Sequence, residues 1–369
     1  MRWDAIVVGG GPAGAACAHG MARAGLAVLL LDRAAAGRDK PCGEGLLPRG
    51  VAALARAGLA ALVDGAAPFE GVRFHAPSGA AATGRFRHGS GLGVRRSRFD
   101  AALVEAAAAA GACVRFGSVV RAIGPFLDGG RDVLLDGGRE RARVVVLADG
   151  GRSPLAGALG LGRPRPTGRV GVVAHGAGAG PLVEAHFADG WQVVLTPLAG
   201  GAFSVAALVE PRRARELGGD PLGWLRARLD ERGLAVAGLD RARCLPLLGP
   251  APRLVDDGLL LVGDAGGAVD PIVGCGIALA LEGAADAGHA IAAALDGSGA
   301  DRAALAPYAR ARRRRDRAPR AACAIALAAA RSPRVAEGAA RVLGRCTWAL
   351  DGLLRAVAEE PGDGVPIGG

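Results

Sequence analysis

The stretch Ala5-Ile6-Val7-Val8-Gly9-Gly10-Gly11-Pro12-Ala13-Gly14, followed by a second apolar run over residues 27–31 that ends at Asp32, decides the fold. The short β-branched run reads as a buried parallel strand. The glycines allow a sharp turn and the close approach of a pyrophosphate, and residues 13–24 continue as a helix whose N-terminus faces that anion. Asp32 is then placed to accept hydrogen bonds from an adenosine ribose, with Arg33 beside it. A lone GxGxxG is weak evidence in a chain with 61 glycines. Here strand, turn, helix, strand and acidic residue follow in the order that a dinucleotide-binding βαβ unit requires. Gly9, Gly11, Pro12, Ala13, Gly14, Asp32 and Arg33 are the residues expected to hold the nucleotide.

Past Asp32 the chain turns irregular through Arg38-Asp39-Lys40-Pro41-Cys42-Gly43-Glu44-Gly45-Leu46, where a proline and glycines exclude a helix until about Pro48. Ser97-Arg98-Phe99-Asp100 has the spacing of a capping box and predicts a helix running to Gly111. Strands are expected at 113–116, 119–123 and 133–135, punctuated by Asp128-Gly129-Gly130 and Asp136-Gly137-Gly138 as a β-meander. A buried strand at 142–147 ends at Ala148-Asp149-Gly150. From residue 170 the pattern shifts to strand-length segments at 170–175, 183–187, 192–195 and 203–208, a second sheet joined by 71–75 and 80–86. Residues 259–262 return to the first sheet at Gly263-Asp264-Ala265, and 276–295 reads as a long helix.

The expected architecture is therefore α/β. A Rossmann-like nucleotide domain is built from 1–65, 95–165 and 245–302, a mixed β-sheet substrate domain is inserted as 66–94 and 166–244, and 303–369 forms a helical C-terminal segment.

The 369 residues carry a formal charge of +10, and Lys40 is the only lysine among 45 basic residues. Arginine is spread along the chain. Its one dense cluster, Arg310 to Arg317, lacks interleaved aromatics and reads as a solvated basic surface, so nucleic acid is not expected as a partner. Seven cysteines without CxxC spacing point to a reduced cytoplasm and away from structural zinc. Asp4 and the glycine turn interrupt the N-terminal apolar run, which is therefore no signal peptide. The longest later apolar stretch is taken as 321–330, half of the roughly twenty residues that span a bilayer. No transmembrane segment is expected, with peripheral membrane contact left to an amphipathic tail. His175 and His186 fall on expected strands in structural roles, neither forms a metal spacing, and no metal is expected. Ser153 lacks the GxSxG setting of a hydrolase.

Together the early GxGxxG, Arg96 in RRSRFD, VVVLADGGRSPL and GLLLVGDAGGAVDPIVGCGIALALEGA resemble the flavoprotein monooxygenase (aromatic hydroxylase-like) and geranylgeranyl reductase superfamily up to about residue 300. KPCGEGL further resembles the geranylgeranyl reductase-like branch, which includes alkene reductases and monooxygenases. The resemblance implies FAD. It implies that Gly263 and Asp264 meet the ribityl chain, and that Pro271, Gly274, Cys275, Gly276 and Ile277 form a turn and helix start against the flavin. It further implies that Arg96 holds the pyrophosphate or ribityl region, and that Asp149 and Gly150 support FAD and the nicotinamide encounter.

Cys42 and Glu44 are the implied catalytic candidates, each able to supply a proton beside the flavin. Ser153 is followed by Pro154-Leu155 where the family continues with a valine and an arginine, a departure that touches the nicotinamide contact. The expected function is an FAD-dependent monooxygenase acting on a lipophilic small molecule with NAD(P)H as transient electron donor. A flavin-dependent alkene reductase is the first alternative and an electron-transferring flavoprotein the second.

Overall fold

The computed structural model describes residues 2–35, 37–162, 164–249, 253–297 and 299–359. Its first sheet runs in the order Val255–Asp256, Leu259–Leu261, Gly138–Leu147, Arg2–Val8, Val28–Leu31, Cys113–Arg115. From Leu259–Leu261 onward the neighbours are parallel. Such strands need cover on both faces. Ala5, Val7, Leu30 and Val146 point to a helical layer, while Ile6, Val8, Leu29 and Val145 point to a second cluster containing Ile123, Val133 and Leu155. The alternation within each strand produces this division.

The helices, in chain order, are α1 (Pro12–Arg23), α2 (Pro48–Arg56), α3 (Arg96–Ala109), α4 (Pro154–Ala158), α5 (Pro221–Glu231), α6 (Gly276–Asp296), α7 (Arg302–Arg315), α8 (Arg317–Arg331), α9 (Pro333–Arg345) and α10 (Thr347–Ala358). Helices α1, α3 and α6 form the layer on the parallel sheet, and small residues on α1 let them approach closely. Gly14 marks the tightest point, because a Cβ there would lie 1.9 Å from the carbonyl oxygen of Gly9.

The second sheet has seven strands in the order Arg243–Leu248, Pro166–Ala177, Ala202–Val209, Trp191–Leu198, Val183–Ala188, Gly71–His75, Ala81–Arg85. One face packs Trp191, Val193, Val205 and Ala207 against Trp224, Leu225 and Leu229 of α5. The other face looks toward α8, α9 and α10 across a cavity. A small third sheet of Gly45–Leu46, Gly91–Gly93 and Ala67–Phe69 closes one end.

Several expectations are corrected. The strand at Cys113–Arg115 pairs in parallel with Val28–Leu31, so the antiparallel meander consists of Val120–Ile123, Arg131–Leu135 and Gly138–Leu147. The boundary expected at residue 245 falls inside a strand of the second sheet. Ser97 caps nothing: α3 starts at Arg96, and Asp100 turns back to grip the Arg96 guanidinium at 2.7 and 2.8 Å. The arginine cluster is not wholly solvated, since Arg312 is buried and Arg315 pairs with Asp286. Among the described residues α6 alone has the length and composition to cross a membrane, and 61% of its apolar window is buried inside the protein. Residues 360–369 of the expected C-terminal segment lie outside the described residues.

Candidate functional site

Between the two sheets and the last three helices lies a cavity of about 760 Å³. Gly11, Pro12, Ala13, Arg33, Cys42, Glu44, Arg96, Asp149, Gly150, Gly263, Asp264, Pro271, Gly274, Gly276 and Ile277 all line it. Four of the expected residues stand back from it. Gly9 and Gly14 pack against each other beneath the turn. Asp32 accepts hydrogen bonds from Gly10 N at 2.7 Å and Ala34 N at 2.8 Å and so braces the glycine turn from behind. Cys275 is buried in an apolar cluster, and burial pushes its thiol up to about 12, which keeps it protonated.

At one end, α1 opens with Gly11 as its N-cap and no side-chain cap, leaving first-turn amides for an anion. Lys40 Nζ stands 3.3 Å from where a Cβ on Gly11 would be. Burial, then the charges of Arg96 and Arg38, hold its ammonium below the usual lysine range, against the pull of Asp100 and Asp32. Sequence reasoning missed Lys40 as a site residue, although its being the only lysine was a signal. Arg33, Arg38, Lys40 and Arg96 gather positive charge at this end of the cavity. The Arg96 guanidinium sits beside Cys42. Burial works against its charge, but the hydrogen bond and charge of Asp100 outweigh burial and raise its proton affinity.

Further along, the Oδ1 atom of Asp149 is buried with no hydrogen-bond partner, and burial raises its carboxyl above the usual range. Ser153, just beyond that turn, caps α4 by accepting from Ala156 N at 3.0 Å. Asp264 lies in the turn 263–267, whose carbonyls are held from outside the sequence motif. Arg312 Nη2 on α7 donates to Gly263 O at 2.9 Å and Gly267 O at 2.7 Å, and the Tyr308 hydroxyl donates to Leu261 O at 2.7 Å. Asp270 caps the short turn Pro271–Val273, accepting from Ile272 N at 3.0 Å, and is also held by the buried Arg169. A cationic end, free helix amides and an orphaned acidic oxygen fit a dinucleotide cofactor that brings phosphates and hydroxyls.

Next to Arg96, the loop that carries Lys40 brings Cys42 and Glu44 to the cavity. Glu44 is 1% exposed and holds φ at 57°, a left-handed conformation unusual outside glycine. Its Oε1 accepts from Arg96 N at 2.8 Å, so it caps α3 from 52 positions away, where the capping box did not. Its Oε2 meets His175 Nε2 at 2.9 Å, and His175 Nδ1 meets Asp240 Oδ2 at 3.2 Å. Burial alone would lower His175, but the hydrogen bond and charge of Glu44 outweigh it and raise the imidazole above its ordinary value. Cys42 lies two residues before Glu44, whose backbone N–H points at the Cys42 sulfur at 3.4 Å.

His186 and His75, on adjacent parallel strands, stack with ring centres 4.1 Å apart beside Glu184. The donor atoms of these three residues lie within 4.8 Å of one another, a spatial metal spacing that sequence separation concealed. His186 Nε2 is 3.3 Å from Glu184 Oε2 but off the direction of a hydrogen bond. The charges of Arg73 and Arg232 face this cluster and work against a cation. Phe187 lines the cavity, whereas Trp191 packs under α5.

A parallel sheet entered by a glycine turn, with a cationic cavity running from that turn to a second sheet, defines a dinucleotide-cofactor protein of α/β class. The family model described as "FAD binding domain" matches residues 2–205. The menaquinone reductase of Mycobacterium tuberculosis is 33% identical over 310 residues, covering 76% of this chain and 74% of that protein. The rifampicin monooxygenase of Streptomyces venezuelae is 29% identical over 317 residues, covering 80% of this chain and 65% of that protein. A geranylgeranyl bacteriochlorophyll reductase-like protein from Thermoplasma acidophilum superposes with a TM-score of 0.80 at 21% identity, covering 98% of this chain and 97% of that one. The chain belongs to the FAD-binding domain family and is an FAD-dependent oxidoreductase.

Proposed function

We propose that the protein reduces a carbon–carbon double bond in a long lipophilic substrate, of the kind found in isoprenoid chains. One observation carries this reading. The cavity floor of Val72, Phe74, Ala185, Phe187 and Val194 faces a roof of Ala329, Ala336, Ala340, Leu343 and Leu354 from α8 to α10, and the channel so formed leads to Cys42 and Glu44. Aliphatic walls of this extent bind by excluding water, and they offer no row of polar groups to orient a hydroxylated ring. Similarity to a menaquinone reductase supports the same reading.

FAD, when bound, supplies the hydride. The amides of Gly11 and Ala13, with Lys40, Arg33 and Arg96, would hold its phosphates, while Pro12, which has no N–H, fixes the start of α1 beneath them. Asp32 would meet the adenosine ribose through its remaining lone pairs. Asp264 and the orphaned Asp149 would accept hydrogen bonds from its hydroxyls, and Gly150, Gly263, Pro271, Gly274, Gly276 and Ile277 would shape the flavin seat. Glu44 and Cys42 hold the proton that completes reduction, and the apolar roof keeps water from competing for hydride.

A monooxygenase is the second reading. It is favoured by the Asp149-Gly150 pair and by similarity to rifampicin monooxygenase, and it was the leading expectation from the sequence. The buried acid at the end of an aliphatic channel suits double-bond reduction better. The electron donor belongs to the same test, because Pro154 starts α4 and Leu155 is buried where the family carries an arginine toward the nicotinamide.

The protein is loaded with FAD, mixed anaerobically with NADPH or NADH, and separately reduced with dithionite and given a menaquinone bearing an unsaturated isoprenoid tail. After air has returned any quinol to the quinone, product that keeps two added hydrogens, placed in the isoprenoid tail by fragment mass spectrometry, with reoxidation of the flavin in the absence of oxygen, is the expected result; hydrogens gained only on the quinone ring would overturn the proposal. A hydroperoxide spectrum on admitting oxygen, with an oxygen atom added to the substrate and no hydrogenated product, would overturn the proposal. Reduction by dithionite but by neither nicotinamide would assign a separate electron donor.

A further inference from the structure

We propose that Asp240 and His175 are the proton supply line of Glu44, running from solvent to the reacting end of the cavity. The proposal rests on the reading above, in which Glu44 gives a proton to the substrate. Glu44 alone could act only once: its carboxyl is 1% exposed, and Arg96 N and the His175 ring occupy its oxygens. Asp240 is the opposite case, with a side chain 39% exposed. His175 joins the two, with Nε2 2.9 Å from Glu44 Oε2 and Nδ1 3.2 Å from Asp240 Oδ2.

The line is held in register by backbone as well. His175 N donates to Asp240 Oδ1 at 2.8 Å, and Asp240 N donates to His175 O at 2.9 Å. A neutral imidazole donates from one edge only, and an imidazolium donates from both. His175 spans a buried and an exposed carboxylate on opposite edges of its ring, the arrangement that proton transfer requires. The charged groups around the line are Arg95, 3.7 Å from Glu44, Arg243, 3.7 Å from Asp240, and Asp39, which meets Arg243 at 2.6 Å and Arg95 at 3.8 Å.

The protons balance as follows. The Nε2–H bond of the His175 imidazolium breaks as an O–H bond forms on the Glu44 carboxylate, and that O–H bond breaks in turn as the new C–H bond forms on the substrate carbon that the hydride has left electron-rich. Rotation of the neutral ring brings its remaining N–H toward Glu44, and the bare nitrogen takes a proton from water at the Asp240 end. One proton leaves with the product and one enters from water. Asp240 and His175 act through Glu44 and are positioning residues.

The test uses Glu44→Gln, His175→Gln and Asp240→Asn in the full chain. In the protein without FAD, the His175 ring is titrated by NMR, and each carboxylate substitution is expected to lower its apparent pKa. In the dithionite-reduced holoenzyme with the same menaquinone, Asp240→Asn is expected to leave FAD retention unchanged. It should slow reoxidation by about tenfold at alkaline pH, with a larger solvent deuterium isotope effect. His175→Gln should slow it at every pH. If Glu44→Gln abolishes turnover while the other two leave rate, pH profile and isotope effect unchanged, the supply line is overturned and the role of Glu44 stands. If Glu44→Gln itself turns over normally, the reading of Glu44 as proton donor fails, and the supply line fails with it.

Discussion

His175 and His186 lie in one sheet with two strands between theirs, and their surroundings push their proton affinities apart. Burial, together with the nearby charge of His75, drives His186 down from 6.5 to about 4. Its folded value is below the unfolded one, so its contribution to stability is present above pH 6.5 and is lost as pH falls toward 4. His175 has the opposite sign. Its folded value is raised, so its contribution is complete below its ordinary value and fades as pH rises through the raised one. Urea unfolding across this range should show an acid limb that His186→Gln flattens and an alkaline limb that His175→Gln flattens. Unchanged limbs in both variants would refute the assignment. The glycine turn, Cys42 and Glu44 were legible in the sequence because their spacing is local. The partners of Glu44 were not, since His175 is 131 positions away and Asp240 a further 65.

At the scale of elements, the turn 263–267 is braced by a helix that no motif announces. Arg312 is 6% exposed and bonds Gly263 O and Gly267 O, two carbonyls that α7 reaches only because it packs along α6. Arg312→Met is expected to strip both carbonyls at about 1–3 kcal/mol each. The expected readout is a lower midpoint of thermal unfolding and FAD lost on dilution, with Lys recovering part of each effect. Retention of FAD by the methionine variant would separate the brace from the cofactor seat. Sequence analysis read the run Arg310 to Arg317 as surface because charge density by itself reports nothing about which arginine faces inward. Similarly, a capping box at Ser97 was a sound local pattern, but the helix starts one residue earlier, the Asp100 carboxylate is taken by the Arg96 guanidinium, and the Arg96 amide is capped by a carboxylate 52 positions earlier.

Across the whole molecule, both sheets were legible from period and turn residues, whereas the roof was not. Helices α8 to α10 have no motif, and the sequence placed their small inward residues only in a helical C-terminal segment. Those small residues set the width of the cavity. Ala340→Phe is expected to narrow it, costing about 1–3 kcal/mol of stability from overpacking. Tail-bearing substrates should lose affinity while FAD binding holds. Fluorescence quenching of a polyprenyl probe against flavin titration separates the two, and equal loss of both would disprove a substrate wall.

On the proposed reading, the flavin seat and the substrate roof are recorded in different stretches of the chain. The seat would be assembled from motifs at residues 9–14, 149–150 and 263–277, while the roof comes almost wholly from residues 317–358. Substitutions in those last helices would then alter what is admitted and leave the cofactor motifs in place. Sequence similarity at those motifs is on that account a poor guide to the substrate.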